Sequence, residues 1–498
     1  MDALYYLGLL VSILIIVYQF TPNRRVQHKD LPPSPPSLPI IGHFHLLKRP
    51  VHQALSNLSN KYGPIFLLRL GSRSTLVLSS RSAIEECFPK NDIIFSNRPL
   101  LPSQKILQYN YTTIAAPYGN HWRNLRRFTA LEIFSAKSLQ MSSDIRTEEI
   151  IFMIKHLCKR SFEGGVPRKV DVKSFFYLLD FNIMLKMVAG KRCFEEEELD
   201  LDETTKGKLD DLKETFGPFL NMALGDYFPY LRWLTYYGVE KQQMNIHKKR
   251  DAFIQALLDA HQNNNNPLMT STVPGGEISR PIIDVLLKLH ESEPEFYTKD
   301  VIKGIIQTML VAGTHTTVVT LDSVIDNHVG DYSRLLNDAD LAKLPYLHSI
   351  ISETLRVGPV TVLPARESSE DCTVGGYHIP RGTQLWVNAW AVHRDPALCI
   401  ESDRFKLERF LQSEEEKQGG CKFLSFGLGR RVCPGEGLGM RVMALSLGTL
   451  IQCFKWEEVK DDSHVPIKKT NLNKQSEERP VNIIFRPREA LTKVLAQL

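Results

Sequence analysis

The chain has no C-x-x-C pair, and its eight cysteines (Cys87, Cys158, Cys193, Cys372, Cys399, Cys421, Cys433 and Cys453) keep no regular spacing. In 498 residues that argues against a disulfide framework and for a reducing compartment. No G-x-G-x-x-G follows a strand-like run, so no dinucleotide-binding unit is built in. A nucleophile elbow is missing too, and the two absences together remove hydrolases and dehydrogenases. Charge of one sign is scarce. Lys and Arg number 61 against 56 Asp and Glu, a net of +5 that is too mild and too dispersed for a nucleic-acid partner. No internal repeat is visible. What is present in quantity is apolar surface, 43% of residues, enough for a large folded core.

Ala3 to Phe20 is an 18-residue stretch without a charge, followed by Arg24, Arg25, His28 and Lys29. Such a length just spans a bilayer core. A cleaved signal peptide would start basic and end in a small-x-small site. Here Met1-Asp2 opens the run and Tyr18-Gln19-Phe20 closes it. The reading is a retained anchor over 1–21, with the positive charges after it keeping the following domain on the cytosolic side. The N-x-S/T triplets at Asn57 and Asn110 then stay unglycosylated. Residues 22–42 read as a basic linker and a proline-rich hinge, Leu31 to Gly42, stiff and extended, which fixes the spacing between anchor and domain.

From 43 to 498 the pattern is that of one domain, mainly α with small β-sheets. Phe66 to Ser79 alternates apolar and polar residues around Gly71-Ser72 and predicts a hairpin. Thr147 to Lys159, Lys248 to His261 and Thr298 to Val319 carry helical periodicity. The acidic run Glu195 to Asp202 reads as solvated surface. Gln262 to Gly276 reads as a surface loop, and Gly375 to Val387 as turns and short strands.

One cysteine stands apart. The run Phe426-Gly427-Leu428-Gly429-Arg430-Arg431-Val432-Cys433-Pro434-Gly435 sets it among glycines and arginines, ahead of an apolar helix. Glycine lets the backbone approach a flat ligand and adopt positive φ. The helix N-terminus with Arg430 and Arg431 would favour thiolate over thiol. A thiolate so held suits a metal, and heme iron is one that takes a single cysteine ligand. The pattern F-x-x-G-x-R-x-C-x-G resembles the heme-binding signature of the heme-thiolate monooxygenases, the cytochromes P450, at each diagnostic position. That resemblance implies the cytochrome P450 fold behind the anchor, and heme b as cofactor. It also implies Cys433 as axial iron ligand, Arg431 against a propionate, and Phe426 shielding the sulfur.

The other motifs are read beside it. Glu353 and Arg356 lie at i and i+3 of a helix, where an acid and a base can touch. With Arg409, in Phe405-Lys406-Leu407-Glu408-Arg409-Phe410, they resemble the family's buried Glu-Arg-Arg triad, which locks the segment leading to the cysteine loop. Leu407 stands where most relatives have proline. Trp122 and Arg126 are one helical turn apart. By themselves they fit a core tryptophan and a surface arginine, whereas the resemblance makes both propionate ligands. It places Arg366 near the second propionate. Ala312-Gly313-Thr314-His315-Thr316-Thr317 resembles the oxygen-binding stretch of the distal helix. Thr316 would donate a hydrogen bond there, and His315 replaces the usual acid as a proton relay, breaks the network, or points into a structural pocket.

The resemblance is closest to plant microsomal enzymes of family eighty-one, which oxidise aromatic specialised metabolites. It rests on Ser349 to Arg356, Glu367 to Cys372 and Val387 to Pro396. It implies a single-pass endoplasmic reticulum membrane protein, electrons from NADPH through a separate cytochrome reductase, O2, and a small flavonoid, isoflavonoid or related phenolic substrate. Oxidative ring coupling and methylenedioxy-bridge formation are the runners-up. Substrate choice is expected in Leu100 to Pro117, with Tyr109 and Tyr111 packing on an aromatic ligand, in Phe216 to Leu224, and in Val360 to Leu363. One region departs from the family. Thr320 runs almost directly into Ile325 to Gly330 where relatives carry roughly twenty more residues, on the order of 30 Å of helix. That loss should shorten the helix crossing the heme and expose core surface. With His315 it motivates a rival reading, a degenerate or splice-variant heme protein with little or no activity.

Overall fold

The computed structural model describes Tyr6, Gly8, Ser12 and residues 30–161, 168–194, 203–217, 224–229, 240–263, 271–272, 278–324, 335–341, 343–358, 365–396, 399–411, 424–458 and 482–488. The expected anchor over 1–21, apart from three helical residues, lies outside this set, as do the acidic run 195–202 and the stretch 360–363.

In chain order the elements that position the site are α1 (Val51–Tyr62), β1 (Ile65–Leu70), β2 (Arg73–Leu78), α2 (Arg81–Asn91), α3 (Asn120–Phe128), α4 (Ser143–Ser161), β3 (Lys169–Asp171) and α5 (Val172–Ala189). They continue with α6 (Lys241–Asn263), α7 (Lys299–Val324), α8 (Pro345–Val357), β4 (Arg366–Glu367), β5 (Gln384–Val387), α9 (Glu436–Cys453), β6 (Phe454–Glu458) and β7 (Asn482–Pro487). Helices dominate and the sheets are small, as the periodicities predict. α6 runs on through Asn263, two residues into the expected surface loop, and Ser271-Thr272 within that stretch pairs with Ile278-Ser279, the rest of 262–276 lying outside the described residues.

The hairpin pairs Ile65 with Leu78 through Leu70 with Arg73. Phe66, Leu68 and Leu70 on β1 are fully buried, as strand alternation demands. Gly71 makes the turn at φ 57°, where a Cβ would lie 2.4 Å from the Tyr227 carbonyl oxygen. β2 pairs in parallel with β5, Thr75 opposite Gln384, and β5 in antiparallel with β4, Arg366 opposite Leu385. Arg366 is thereby fixed at the sheet's inner end. The hinge stays extended against this sheet, Leu67 donating to Pro33 O at 2.8 Å, and closes on itself where Leu38 and Gly42 exchange hydrogen bonds.

α5 is apolar almost all round and correspondingly buried on every face. α7 packs along it and against α8 and α9. α7 spans 26 residues, Lys299 to Val324. Among the described residues that flank its end, apolar side chains are buried. Val318, Leu321, Leu336 and Leu341 are buried, and Leu336 donates its N–H to Gln452 of α9 at 3.0 Å. Leu336 sits so close that a Cβ on Gly448 would fall 2.4 Å from it. The cysteines Cys87, Cys158, Cys193, Cys372, Cys433 and Cys453 are free, while Cys399 is disulfide-bonded, one departure from the expectation of none.

Candidate active site

A cavity of about 600 Å³ opens between α7 and the loop that leads into α9. Of the residues singled out in the sequence, Trp122, Arg126, Thr316, Arg366, Phe426, Arg431 and Cys433 all line it. Cys433 has free surface, but the space it faces is this cavity, so the sulfur lies within the body of the protein.

The cysteine loop is built on two left-handed glycines, Gly427 at φ 83° and Gly429 at φ 58°. A Cβ on Gly429 would lie 2.2 Å from Asp92 Oδ1, and the next amide, Arg430 N–H, donates to Asp92 Oδ2 at 3.0 Å. Cys433 N–H donates to Phe426 O at 2.8 Å, closing the loop beneath the sulfur. The electrostatics differ from the expected pattern. Burial raises the Cys433 thiol above its usual range and outweighs the amides of Gly435 and Glu436 and the Arg126 cation, which lower it. Arg430 is half exposed and turned to Asp92 at 3.8 Å, so it gives the sulfur little. The thiol is therefore set up to lose its proton to a metal cation rather than to stand as a free thiolate.

The rim opposite is cationic. Arg98, Arg126, Arg366 and Arg431 share the cavity wall. Arg431 is lowered to about 9, first by burial and then by Arg98, Arg366 and Arg126. Its guanidinium donates to the carbonyls of Ser96, Ile114 and Ala116 and lies over the Trp122 ring at 4.4 Å. Arg98 donates to Ala365 O at 2.9 Å and is lowered to about 10. Arg366 meets the carboxylate Asp92 at 3.2 Å. Buried guanidinium groups that depress one another call for added negative charge. An apolar, metal-centred ligand with two carboxylates fits both requirements, a sulfur on one side and arginines at the edge. Arg98 was not among the sequence candidates. The signal lies in the bridge that pairs Asn97 with Glu367, which only the fold reveals.

α7 faces the cavity with Ala312, Gly313, Thr316, Thr317 and Thr320, a stripe at positions i, i+1, i+4, i+5 and i+8. Thr316 lies on it, with its hydroxyl donated back to Ala312 O at 2.9 Å. His315 does not. It falls off the stripe, half-buried, where burial and Lys173 both lower its pKa, so a relay role facing the cavity is not supported. The loop 100–117 contributes Leu101, Gln104, Gln108, Thr113, Ile114 and Ala115. Tyr109 and Tyr111, expected to meet a ligand, are engaged elsewhere. Tyr109 donates to Asp251 at 3.1 Å and packs on His247, and Tyr111 donates to Leu101 O at 2.8 Å. Phe216 is fully buried between Phe181 and Phe253, so it too is core.

Glu353, Arg356 and Arg409 come together as the motif implies. Arg356 binds Glu353 in a two-pronged pair at 2.6 and 2.9 Å, and Arg409 Nε lies 3.4 Å from Glu353 Oε1. Lys406 N–H adds a bond to Glu353 at 2.8 Å. The link to the cysteine loop is His393, a role not read from the sequence. Leu424 N–H donates to His393 Nε2 at 2.9 Å, which makes Nδ1 the protonated nitrogen, donating to Arg356 O at 3.2 Å. Ser425 Oγ donates to Leu355 O beside it.

Burial lowers His393 to about 4. Its folded pKa is thus below the unfolded value of 6.5, so the unfolded chain binds the proton more readily. Stability present above pH 6.5 is lost as pH falls toward 4, by about 3 kcal/mol in total. Thermal melts at pH 7 and pH 4.5 should show this acid limb, and His393→Phe should flatten it.

Fold and site together define a protein that holds a heme through cysteine thiolate. The chain belongs to the cytochrome P450 family, whose model matches residues 32–483. It is 42% identical to cytochrome P450 81Q32 of Catharanthus roseus over all of this chain and 99% of the relative. It is 40% identical to a (+)-piperitol/(+)-sesamin synthase of Sesamum radiatum over 100% of this chain and 99% of that one. An isoflavone 2'-hydroxylase of Glycyrrhiza echinata is 38% identical over 92% and 91%. The Catharanthus alignment runs to 519 positions against 498 residues here, so that relative carries at least 21 positions this chain lacks. The chain is therefore a heme-thiolate monooxygenase of the family-81 kind.

Proposed function

We propose that this protein inserts one oxygen atom of O2 into an aromatic plant specialised metabolite, a flavonoid, isoflavonoid or related phenolic. Electrons would come from NADPH through a separate reductase, at the cytosolic face of the endoplasmic reticulum and behind a single N-terminal span. The observation that carries the reading is the Cys433 sulfur facing a cavity whose far wall is the small-residue and threonine stripe of α7. Bound heme supplies the activation of dioxygen. The chain's residues do the rest. Trp122, Arg126, Arg366 and Arg431, with Arg98, would hold the two carboxylates, and Phe426 would pack at the sulfur. Leu101, Ile114, Ile305 and Met309 offer apolar surface to an aromatic ring and exclude water from it. The isoflavone hydroxylases among its relatives support the substrate class. The sesame relative favours bridge formation as a second reading.

Microsomes containing this chain, a plant reductase and NADPH, given a panel of isoflavones and methoxyphenols, test both. Product heavier by one oxygen supports hydroxylation, and loss of two hydrogens supports bridge closure. A normal heme spectrum with no substrate-dependent NADPH use would favour the degenerate heme protein instead.

A further inference from the structure

Among the described residues lining the cavity, Asp180 is the one carboxylic acid. It lies on α5, 2% exposed, and neither of its oxygens has a hydrogen-bond partner. The other polar side chains of that helix are served. Ser174 binds Asp171, Tyr177 donates to Leu212 O, Asn182 joins Glu149 and the Cys193 amide, and Lys186 pairs with Glu148 and Glu149. A buried carboxyl without partners is rare and calls for an explanation.

Its place supplies one. Lys173, at the start of α5, acts on His315, and Met184 lies against Gly313, whose Cβ would fall 2.2 Å from the methionine sulfur. Asp180 stands between Lys173 and Met184 on α5, one turn before Met184 and on the same face, and so against the 313–317 stretch of α7. The hydroxyls of Thr316, Thr317 and Thr320 there donate to carbonyls four residues back, at 2.9, 3.3 and 3.1 Å. Their oxygens remain as acceptors toward the cavity, and a hydroxyl that accepts a proton there can rotate off its carbonyl and hand its own hydrogen onward.

We propose that Asp180 holds the proton supplied to the α7 face of the cavity and passes it through the threonine hydroxyls, a task His315 cannot perform from outside the cavity wall. The inference rests on the monooxygenase reading above. Burial alone pushes the Asp180 carboxyl well above the ordinary carboxylate range, and a buried site with no partner for either oxygen favours the neutral acid over the carboxylate. No charged group acts on Asp180, whose shift comes from burial alone, and the ionisable groups that share the cavity wall with it are Arg98, Arg126, Arg366, Arg431 and Cys433. The overall reaction turns a C–H bond, O2, two electrons and two protons into C–OH and water. When protons arrive out of order, O2, two electrons and two protons leave as hydrogen peroxide. Asp180 gives up its O–H proton, and the unpaired buried carboxylate that results is costly enough to draw a proton back from solvent.

The test uses the full-length, heme-loaded protein in membranes, as wild type, Asp180→Asn, Asp180→Glu and His315→Ala. The first readout needs no substrate or turnover: infrared difference spectra on photolysis of carbon monoxide from the reduced protein. A carbonyl band of a protonated carboxyl is expected, shifting in heavy water, absent in Asp180→Asn, moved in Asp180→Glu and kept in His315→Ala. The second readout is product and peroxide formed per NADPH consumed with an isoflavone. Asp180→Asn should lower product per NADPH about tenfold, with peroxide rising, and Asp180→Glu should restore it. A wild-type spectrum without a band that Asp180→Asn removes overturns the proposal, as does unchanged coupling in Asp180→Asn. An isoflavone refused by the wild type counts against the substrate reading alone, because the band is read without substrate.

Discussion

Cys433→Ser should leave a folded chain whose reduced carbon monoxide complex lacks the thiolate-type band, with oxygenation down by more than about 100-fold, the range that loss of even an outer partner of a metal ligand reaches. The fold should survive because the loop does not depend on the sulfur. Its shape comes from Gly427 and Gly429, from the Cys433 amide on Phe426 O, and from Asp92 beneath Gly429 and Arg430. The chemistry should fail because a serine hydroxyl releases its proton far less readily than a thiol, and the site already works against charge. Burial raises the Cys433 thiol despite the amides of Gly435 and Glu436 and the Arg126 cation. A serine there would stay protonated or bind as a poor, hard donor, without the electron push of sulfur toward O–O cleavage. Far-UV circular dichroism, the reduced carbon monoxide spectrum and product yield, taken on one preparation, check all three parts. A serine variant that keeps the thiolate-type band would contradict the assignment of Cys433 as ligand.

The parts of this site that were legible before the fold was known are those whose chemistry is local. The cysteine loop carries its glycines, arginine and sulfur within ten residues, and each sits where its spacing implies. The Glu353–Arg356 pair is one helical turn, and its contact follows from helix geometry. For His315 the sequence leaves a relay, a broken network or a structural pocket open, and helix geometry already argues against the relay. Consecutive helical residues point about 100° apart, so once 312, 313 and 316 face the cavity, 315 cannot. Tyr109 and Tyr111 were read from composition, and Asp251 and Leu101, remote or merely incidental in sequence, claim their hydroxyls. His393, Arg98 and Asp180 were not legible at all. Their meaning lies in partners roughly thirty or more residues away, or, for Asp180, in the lack of any partner on a helix whose apolar pattern gives no preferred face.

Arg356→Leu should destabilise the chain by about 3–5 kcal/mol and cost it most of its heme, because it strands a buried carboxylate. Glu353 and Arg356 are both fully buried, and the pair survives there only because every prong is used. Glu353 takes two bonds from Arg356, one from the Lys406 amide and a longer one from Arg409. Arg356 spends its remaining donors on His393 O at 2.9 Å and Arg404 O at 3.2 Å. Those two carbonyls tie α8 to the segment that His393 joins, through Leu424, to the cysteine loop. Removal of the arginine therefore does two things, leaving a charge without a counter-ion and releasing the strap beneath the sulfur. Arg356→Lys should rescue little, since a single ammonium cannot reproduce the planar fork that meets Glu353 at two points. The double variant Glu353→Leu/Arg356→Leu separates the effects. Without the stranded carboxylate, much of the lost stability should return in denaturant melts, whereas heme retention should stay low because the bonds to His393 and Arg404 remain broken. If the double variant recovers both together, the pair is only an electrostatic problem solved. If it recovers stability and not heme, the arginine's carbonyl bonds are what hold the proximal loop in register for the iron.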